Sequence, residues 1–205
     1  MADMWAFREA VIRWAAGEDG AAAGELAGRV GVRTAVLLEG PSDLAAVEAL
    51  AARHGRDLAA EGVCVVPMGG AMSVGRFAGL LGPSGLGLRL AGLCDENERG
   101  FYERGLERAG EPLDGVFVCT ADLEDELIRA LGVPRIEDIL RAEGDLPAWQ
   151  TFVRQPAQRD RTAQQRMRRF LGTKSGRKIH YGRLLTEALG PEQVPAPLRN
   201  LFLHL

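Results

Sequence analysis

Four short apolar runs, each ending at a turn or an acid, constrain this chain more than any other feature. They are Ala35-Val36-Leu37-Leu38, Val63-Cys64-Val65-Val66, Leu90-Ala91-Gly92-Leu93-Cys94 and Val116-Phe117-Val118-Cys119. Between them lie stretches with helical spacing: Leu44/Val47/Leu50/Ala51, Val74/Phe77/Leu80/Leu81 and the weaker Phe101–Ala109. Strands alternating with helices imply βαβ units and a mainly parallel sheet. The runs are apolar throughout rather than alternating, as expected of strands covered on both faces. Upstream, Met4, Phe7, Val11 and Trp14 predict a helix over 3–16 and a second over about 21–29. Beyond residue 122 the pattern is helical only, with helices expected near 122–131, 134–143, 160–171, 178–189 and 197–203. Pro134, Pro191 and Pro197 suit first-turn positions. Residues 144–160, with Pro147 and Pro156, read as the connection between an α/β core and a helical tail. The division is therefore 1–30 (N-terminal helical segment), 31–145 (core) and 146–205 (basic helical extension packed on the core).

Open parallel sheets place their sites at the carboxyl ends of the strands. The first run is followed by Glu39-Gly40-Pro41-Ser42-Asp43, the second by Pro67-Met68-Gly69-Gly70, the third by Asp95-Glu96-Asn97-Glu98, and the fourth by Thr120-Ala121-Asp122-Leu123-Glu124. Three of the four strands thus deliver acids to one edge. Carboxylates held together repel and raise one another's pKa unless a cation neutralises them. Oxygen-only ligands suit Mg²⁺ or Mn²⁺, and one or two such ions can stabilise charge at a phosphorus centre. Asp43 and Asp122 also suit helix N-caps. Glu96, Glu98, Asp125 and Glu126 read as solvated surface.

The charge distribution points the same way. Residues 95–145 hold fifteen Asp/Glu against six Arg/Lys, whereas residues 154–178 hold nine Arg/Lys against Asp160 alone. Acids for cations beside bases for phosphates suit an enzyme on a polyanion; a solvated basic helix face is the plainer alternative. Arg166, Arg168, Arg169, Lys174, Arg177 and Lys178 are the expected nucleic-acid contacts. No apolar run reaches membrane-spanning length and no signal-peptide core is present, so the chain is expected to be cytoplasmic, with no membrane partner. Cys64, Cys94 and Cys119 sit singly in apolar runs and read as small buried hydrophobes. His54, His180 and His204 read as packing or surface groups. Trp149 and Phe152 could stack on a base, although an apolar staple is the simpler reading.

Val36-Leu37-Leu38-Glu39-Gly40-Pro41-Ser42-Asp43 resembles the first motif of TOPRIM domains, in the E-G-x-S-D form found in the nuclease half of OLD-family (overcoming lysogenisation defect) ATP-dependent endonucleases. Leu93-Cys94-Asp95-Glu96-Asn97 resembles the second motif, a strand ending in D-x-D, with Asn97 replacing the second acid. Asp122-Leu123-Glu124 matches a further acid after the next strand. Lys174-Ser175-Gly176-Arg177-Lys178 resembles the segment that supplies a late Lys. The resemblance covers about 33–189. It implies a TOPRIM (Rossmann-like) α/β fold: a four-stranded, mainly parallel sheet flanked by helices, with an N-terminal helix and a C-terminal helical extension. It also implies a Mg²⁺-dependent DNA endonuclease or nickase with Glu39, Asp43, Asp95, Glu124 and Lys178 or Lys174 as catalytic residues. The implied metal ligands are Glu39, Asp43, Asp95, Asn97, Asp122 and Glu124. The G-x-x-x-x-G-K-[S/T] loop of the family's ATPase domain is absent from the sequence, so the expectation is a stand-alone TOPRIM protein or one using an ATPase in trans, in DNA repair or phage defence. A homodimer would let two sites address two strands. The alternatives are a TOPRIM ribonuclease, a nucleotidyl transferase, or a non-catalytic nucleic-acid- or partner-binding module.

Overall fold

Successive residues of each strand point to opposite faces, and in this chain both faces are apolar. Val36 and Leu38 of β1 (Thr34–Leu38), Val63 and Val65 of β2 (Val63–Pro67), and Ala91 and Leu93 of β3 (Arg89–Asp95) enter one core. Ala35, Leu37, Cys64, Val66, Leu90 and Cys94 enter the other. With β4 (Val116–Cys119), all strands pair in parallel in the order β2-β1-β3-β4. This is the α/β architecture expected of the sequence. The computed structural model describes residues 2–205, and among them no helix is long and apolar enough to cross a membrane.

One face is covered by α1 (Ala2–Ala15), α2 (Ala21–Val30), α4 (Val74–Leu81) and α5 (Arg99–Ala109). The other carries α3 (Pro41–Arg53), α6 (Leu123–Leu131), α7 (Val133–Ala142), α8 (Leu146–Val153), α9 (Ala163–Leu171), α10 (Ser175–Ala188) and α11 (Ala196–His204). Helix α10 lies along α3 at close range. A Cβ at Gly182 would stand 2.9 Å from the Ser42 carbonyl oxygen, so only glycine permits this approach. Arg53 donates to the carbonyls of Thr186 and Glu187, and Arg56 to that of Phe202. The C-terminal helices therefore share one core with the sheet.

Residues 144–160 differ from the open connection the prolines suggest. Pro147 stands in the first turn of α8, where its missing N–H has no helical partner to lose. Trp149 and Phe152 then give α8 an apolar side that packs on Phe170. Pro134 and Pro197 open α7 and α11, whereas Pro191 begins only a short 3₁₀ turn.

β2 is an edge strand, yet a poor template for a further strand. The Val63 N–H is taken by the Leu58 carbonyl at 2.8 Å, and Pro67 has no N–H to offer. The order 2-1-3-4 reverses direction beside β1. That makes the crevice beyond the carboxyl ends of β1 and β3 the switch point at which parallel sheets bind ligands.

Candidate functional site

Glu39 leaves the end of β1 at this switch point, and Asp95 ends β3 beside it. After Asp95 the chain makes a 3₁₀ turn over Glu96–Glu98. Three residues per turn brings residues i and i+3 to the same side, so Glu98 returns to Asp95 while Asn97 faces solvent. Carboxylate oxygens of Glu39, Asp95 and Glu98 lie within 4.8 Å of one another. Glu98 Oε2 is buried with no hydrogen-bond partner. Glu98 is therefore half-buried in an acidic group rather than solvated surface, while Asn97 is exposed. Counting from the D-x-D pattern misses Glu98; the 3₁₀ turn after the strand is the feature that would have found it.

The electrostatics match the geometry. Burial, then Asp122, Asp43, Glu39 and Glu98, push the Asp95 carboxyl up to about 8. Burial and a hydrogen bond with Glu39 push Glu98 up to about 7. Among the described residues, no Lys, Arg or His forms an ion pair with any of the three. Three acids this close, one oxygen of them orphaned, form a donor set that a hard divalent cation satisfies.

Asp43 is held differently. Gly40 is extended at φ −152°, Pro41 opens α3, and Asp43 Oδ2 accepts the Gly40 N–H at 3.0 Å. The Gly-Pro turn is thus closed by Asp43 reaching back. Burial, followed by the charge of Glu124, raises its carboxyl to about 7.

The acids after β4 meet basic partners. Asp122 caps α6, its Oδ1 accepting the Asp125 N–H at 2.7 Å, and its Oδ2 takes Arg168 Nε at 2.6 Å. Glu124 is 5% exposed and lies 3.2 Å from Lys178 Nζ. Burial raises the Glu124 carboxyl against the opposing pull of Lys178, and the Lys178 amine is raised in turn by Glu124 and Asp43 against its own burial. Asp125 holds Arg129 and Gln164. Glu126 is buried, accepting the Thr120 N–H at 2.9 Å and pairing with Arg129 at 2.6 Å. It is therefore not the surface acid its neighbours suggest.

Of the expected metal set, the structure brings Glu39 and Asp95 into one group. Asp122 and Glu124 are engaged by Arg168 and Lys178, and Asp43 by a backbone amide. Of the two candidate lysines, Lys178 stands among the acids, whereas Lys174 is exposed on a neighbouring surface. Of the expected nucleic-acid contacts, Arg168 and Arg169 line a cleft of about 950 Å³ with Arg161, Asp122, Glu124 and Lys178. Arg166 and Arg177 are used internally. Arg166 donates to the Gln158 and Arg159 carbonyls, while Arg177 pairs with Asp145 and lies 4.2 Å over the Phe170 ring. Tyr102 is buried, donating to the Leu93 and Leu37 carbonyls, and Tyr181 donates to Asp145.

Residues 32–96 match the family model described as the overcoming lysogenization defect protein-like TOPRIM domain. It is this stretch that resembles an OLD-like TOPRIM domain. The matched stretch holds the β2-β1-β3 unit with Glu39, Asp43 and Asp95, and stops before Glu98, Glu124 and Lys178. The C-terminal region of the Burkholderia pseudomallei OLD protein is similar in structure, with a TM-score of 0.63 and 23% identity over 84% of this chain and 96% of that one. The C-terminal region of the Xanthomonas campestris pv. campestris OLD protein is similar at a TM-score of 0.60 and 25% identity, over 84% of this chain and 93% of that one. The structural likeness thus covers more of the chain than the matched stretch 32–96. A comparison with curated protein sequences finds no match.

Proposed function

We propose that this chain is a divalent-metal-dependent nuclease that hydrolyses phosphodiester bonds of DNA. The observation that carries the reading is the group Glu39, Asp95 and Glu98: three carboxylates gathered at the switch point, of which burial and neighbouring acids raise Asp95 and Glu98, with no basic ion-pair partner among the described residues. Glu39, Asp95 and Glu98 would hold Mg²⁺ or Mn²⁺. When bound, such an ion supplies a Lewis acid for a phosphoryl oxygen and lowers the pKa of water.

The chain's own residues supply the rest. Asp43 closes the Gly40-Pro41 turn and so fixes where the Glu39 backbone leaves β1. Lys178 sits between the acids and the large cleft, lining both that cleft and a smaller one of about 290 Å³ beside Glu39, Gly69 and Gly70. Its ammonium is placed to receive a phosphate oxygen, while Glu124 holds it in position. Arg168 and Arg169 carry positive charge along the cleft wall. One ion site is preformed. A second would require Asp122 and Glu124 to exchange Arg168 and Lys178 for an ion.

The test uses supercoiled plasmid, single-stranded DNA and RNA, each with Mg²⁺, Mn²⁺ or EDTA. Wild type should cut DNA only with the metal. Glu39→Ala and Glu98→Ala should each lower the rate by about 100-fold or more, since even outer-layer ligand partners are worth ~10–100-fold. Cutting that survives in Glu39→Ala, or folded wild type that cuts nothing, overturns the reading. Preference for RNA would move it to a ribonuclease.

A further inference from the structure

A third cleft, of about 450 Å³, lies beyond the large one between α8, α9 and the start of α10. Thr173 lines both, and Lys178 joins the large cleft to the one beside Glu39. The three clefts are thus neighbours, the two smaller each sharing a wall residue with the large one. The walls of the third cleft differ from those of the second. Among the described residues its lining holds no acid, and Phe152, Thr151, Gln155, Lys174 and Arg177 face it.

The two aromatics of α8 separate here. Trp149 is 4% exposed, and its indole N–H is bound by Glu137 at 2.7 Å, so it is a packing residue. Phe152 is only partly buried. Its ring is supported from behind by Trp149, at 6.2 Å and nearly parallel, and by Phe170 at 5.5 Å. Arg177 lies over the opposite partner, Phe170, with its charge balanced by Asp145. Lys174 is exposed beside this platform and has no acidic partner among the described residues. A supported aromatic face with a free ammonium beside it suits one unpaired base and its phosphate.

We infer that the groove at Phe152 and Lys174 binds an unpaired flanking stretch of the polynucleotide whose scissile phosphate lies at the acidic cluster. The inference rests on the nuclease reading for the position of the scissile phosphate, and on the wall residues Thr173 and Lys178 that neighbouring clefts share for the path. A duplex offers its bases only in stacked pairs, so the groove selects substrates with a single-stranded flank.

The experiment measures binding of a short labelled single-stranded oligonucleotide, and of a blunt duplex, by fluorescence anisotropy in EDTA, where nothing is cut. Phe152→Leu keeps the apolar packing and removes the ring. It should weaken single-strand binding by about tenfold and leave duplex binding unchanged. Phe152→Trp should restore wild-type binding. Lys174→Ala should lower the salt dependence of single-strand binding by a slope of roughly 0.7, one phosphate's worth. Phe152→Leu binding single strands as wild type does, or wild type failing to bind them, overturns the groove. Each outcome is separable from the nuclease reading. Glu39-dependent cutting with no Phe152 effect leaves the nuclease and removes the groove. Phe152-dependent binding by a protein that cuts nothing keeps the groove and removes the nuclease.

Discussion

The acids at the ends of β1 and β3 and those after β4 lie on one sheet edge, but they have opposite surroundings. Glu39, Asp95 and Glu98 face one another with no basic partner among the described residues. Asp122, Glu124, Asp125 and Glu126 each have one: Arg168, Lys178 and Arg129, which serves the last two. In the first group, burial and neighbouring acids raise Asp95 and Glu98, and no ion-pair partner among the described residues offsets them. The second is neutralised within the fold and anchors α9 and α10 against α6. An acid-rich edge is therefore two devices, and the counter-charge tells them apart.

Removing one acid from each group should change stability in opposite directions. Glu98→Ala relieves repulsion, so the metal-free protein should melt at a higher temperature than wild type. It should also lose the stabilisation that Mg²⁺ or Mn²⁺ gives, which is roughly 2.7 kcal/mol for an ion at about 100 times its Kd. Glu126→Ala orphans the Thr120 N–H and leaves Arg129 only its pairing with Asp125, and should cost about 1–3 kcal/mol while leaving the metal response intact. Thermal unfolding in EDTA and in saturating Mn²⁺ measures both. Equal responses would dissolve the distinction between the groups.

Lys178 is the next test because it borders both groups. Lys178→Met leaves Glu124 buried and uncompensated. A fully buried broken pair costs ~3–5 kcal/mol, but the Lys178 side chain is 40% exposed, so about 2 kcal/mol is expected. Glu124→Gln added to it should recover most of that loss. A double variant no more stable than Lys178→Met would mean that the lysine's packing matters rather than its charge.

The pH dependence sharpens the same contrast. Asp95 is raised to about 8, and Asp43 and Glu98 to about 7, whereas such groups titrate near ~4 in an unfolded chain. Between those limits the folded protein binds more protons than the unfolded one, so stability falls as pH rises. The contribution is whole below pH ~4 and lost by about 8 in EDTA. A bound cation favours the deprotonated carboxylates, so metal affinity should climb across the same window. Melting temperatures at several pH values with EDTA should show a shallower fall in Asp95→Asn than in wild type. An unchanged slope would remove Asp95 as its source.

Much of the fold was legible because its signals are local. The four apolar runs became the four strands, and Glu39, Asp43 and Asp95 stand where a strand end and a Gly-Pro turn put them. The helix of residues 146–153 was not legible, because Pro147 and Pro156 look alike in sequence although only the first opens a helix. The fate of Arg166 and Arg177 was hidden for another reason. Their partners are the Gln158 and Arg159 carbonyls, Asp145 and the Phe170 ring, and only tertiary packing brings the last two to Arg177. Glu126 was hidden by sitting in a run of acids that looks uniformly exposed.

The smallest expected effect follows from Asn97. The second-motif pattern makes it a ligand position with its acid missing, and on that view Asn97→Asp should strengthen metal binding considerably. In the structure Asn97 is exposed and Glu98 occupies the inward position, because a 3₁₀ turn returns to the same side after three residues rather than two. An aspartate at 97 then adds only an exposed charge near the site, screened by solvent and salt. Mn²⁺ affinity, measured by titration calorimetry, should change by less than about threefold, the size of a surface electrostatic effect. A tenfold gain would mean that the turn rewinds to bring residue 97 inward. Glu98 would then be a substitute that the chain abandons when the acid at 97 is restored.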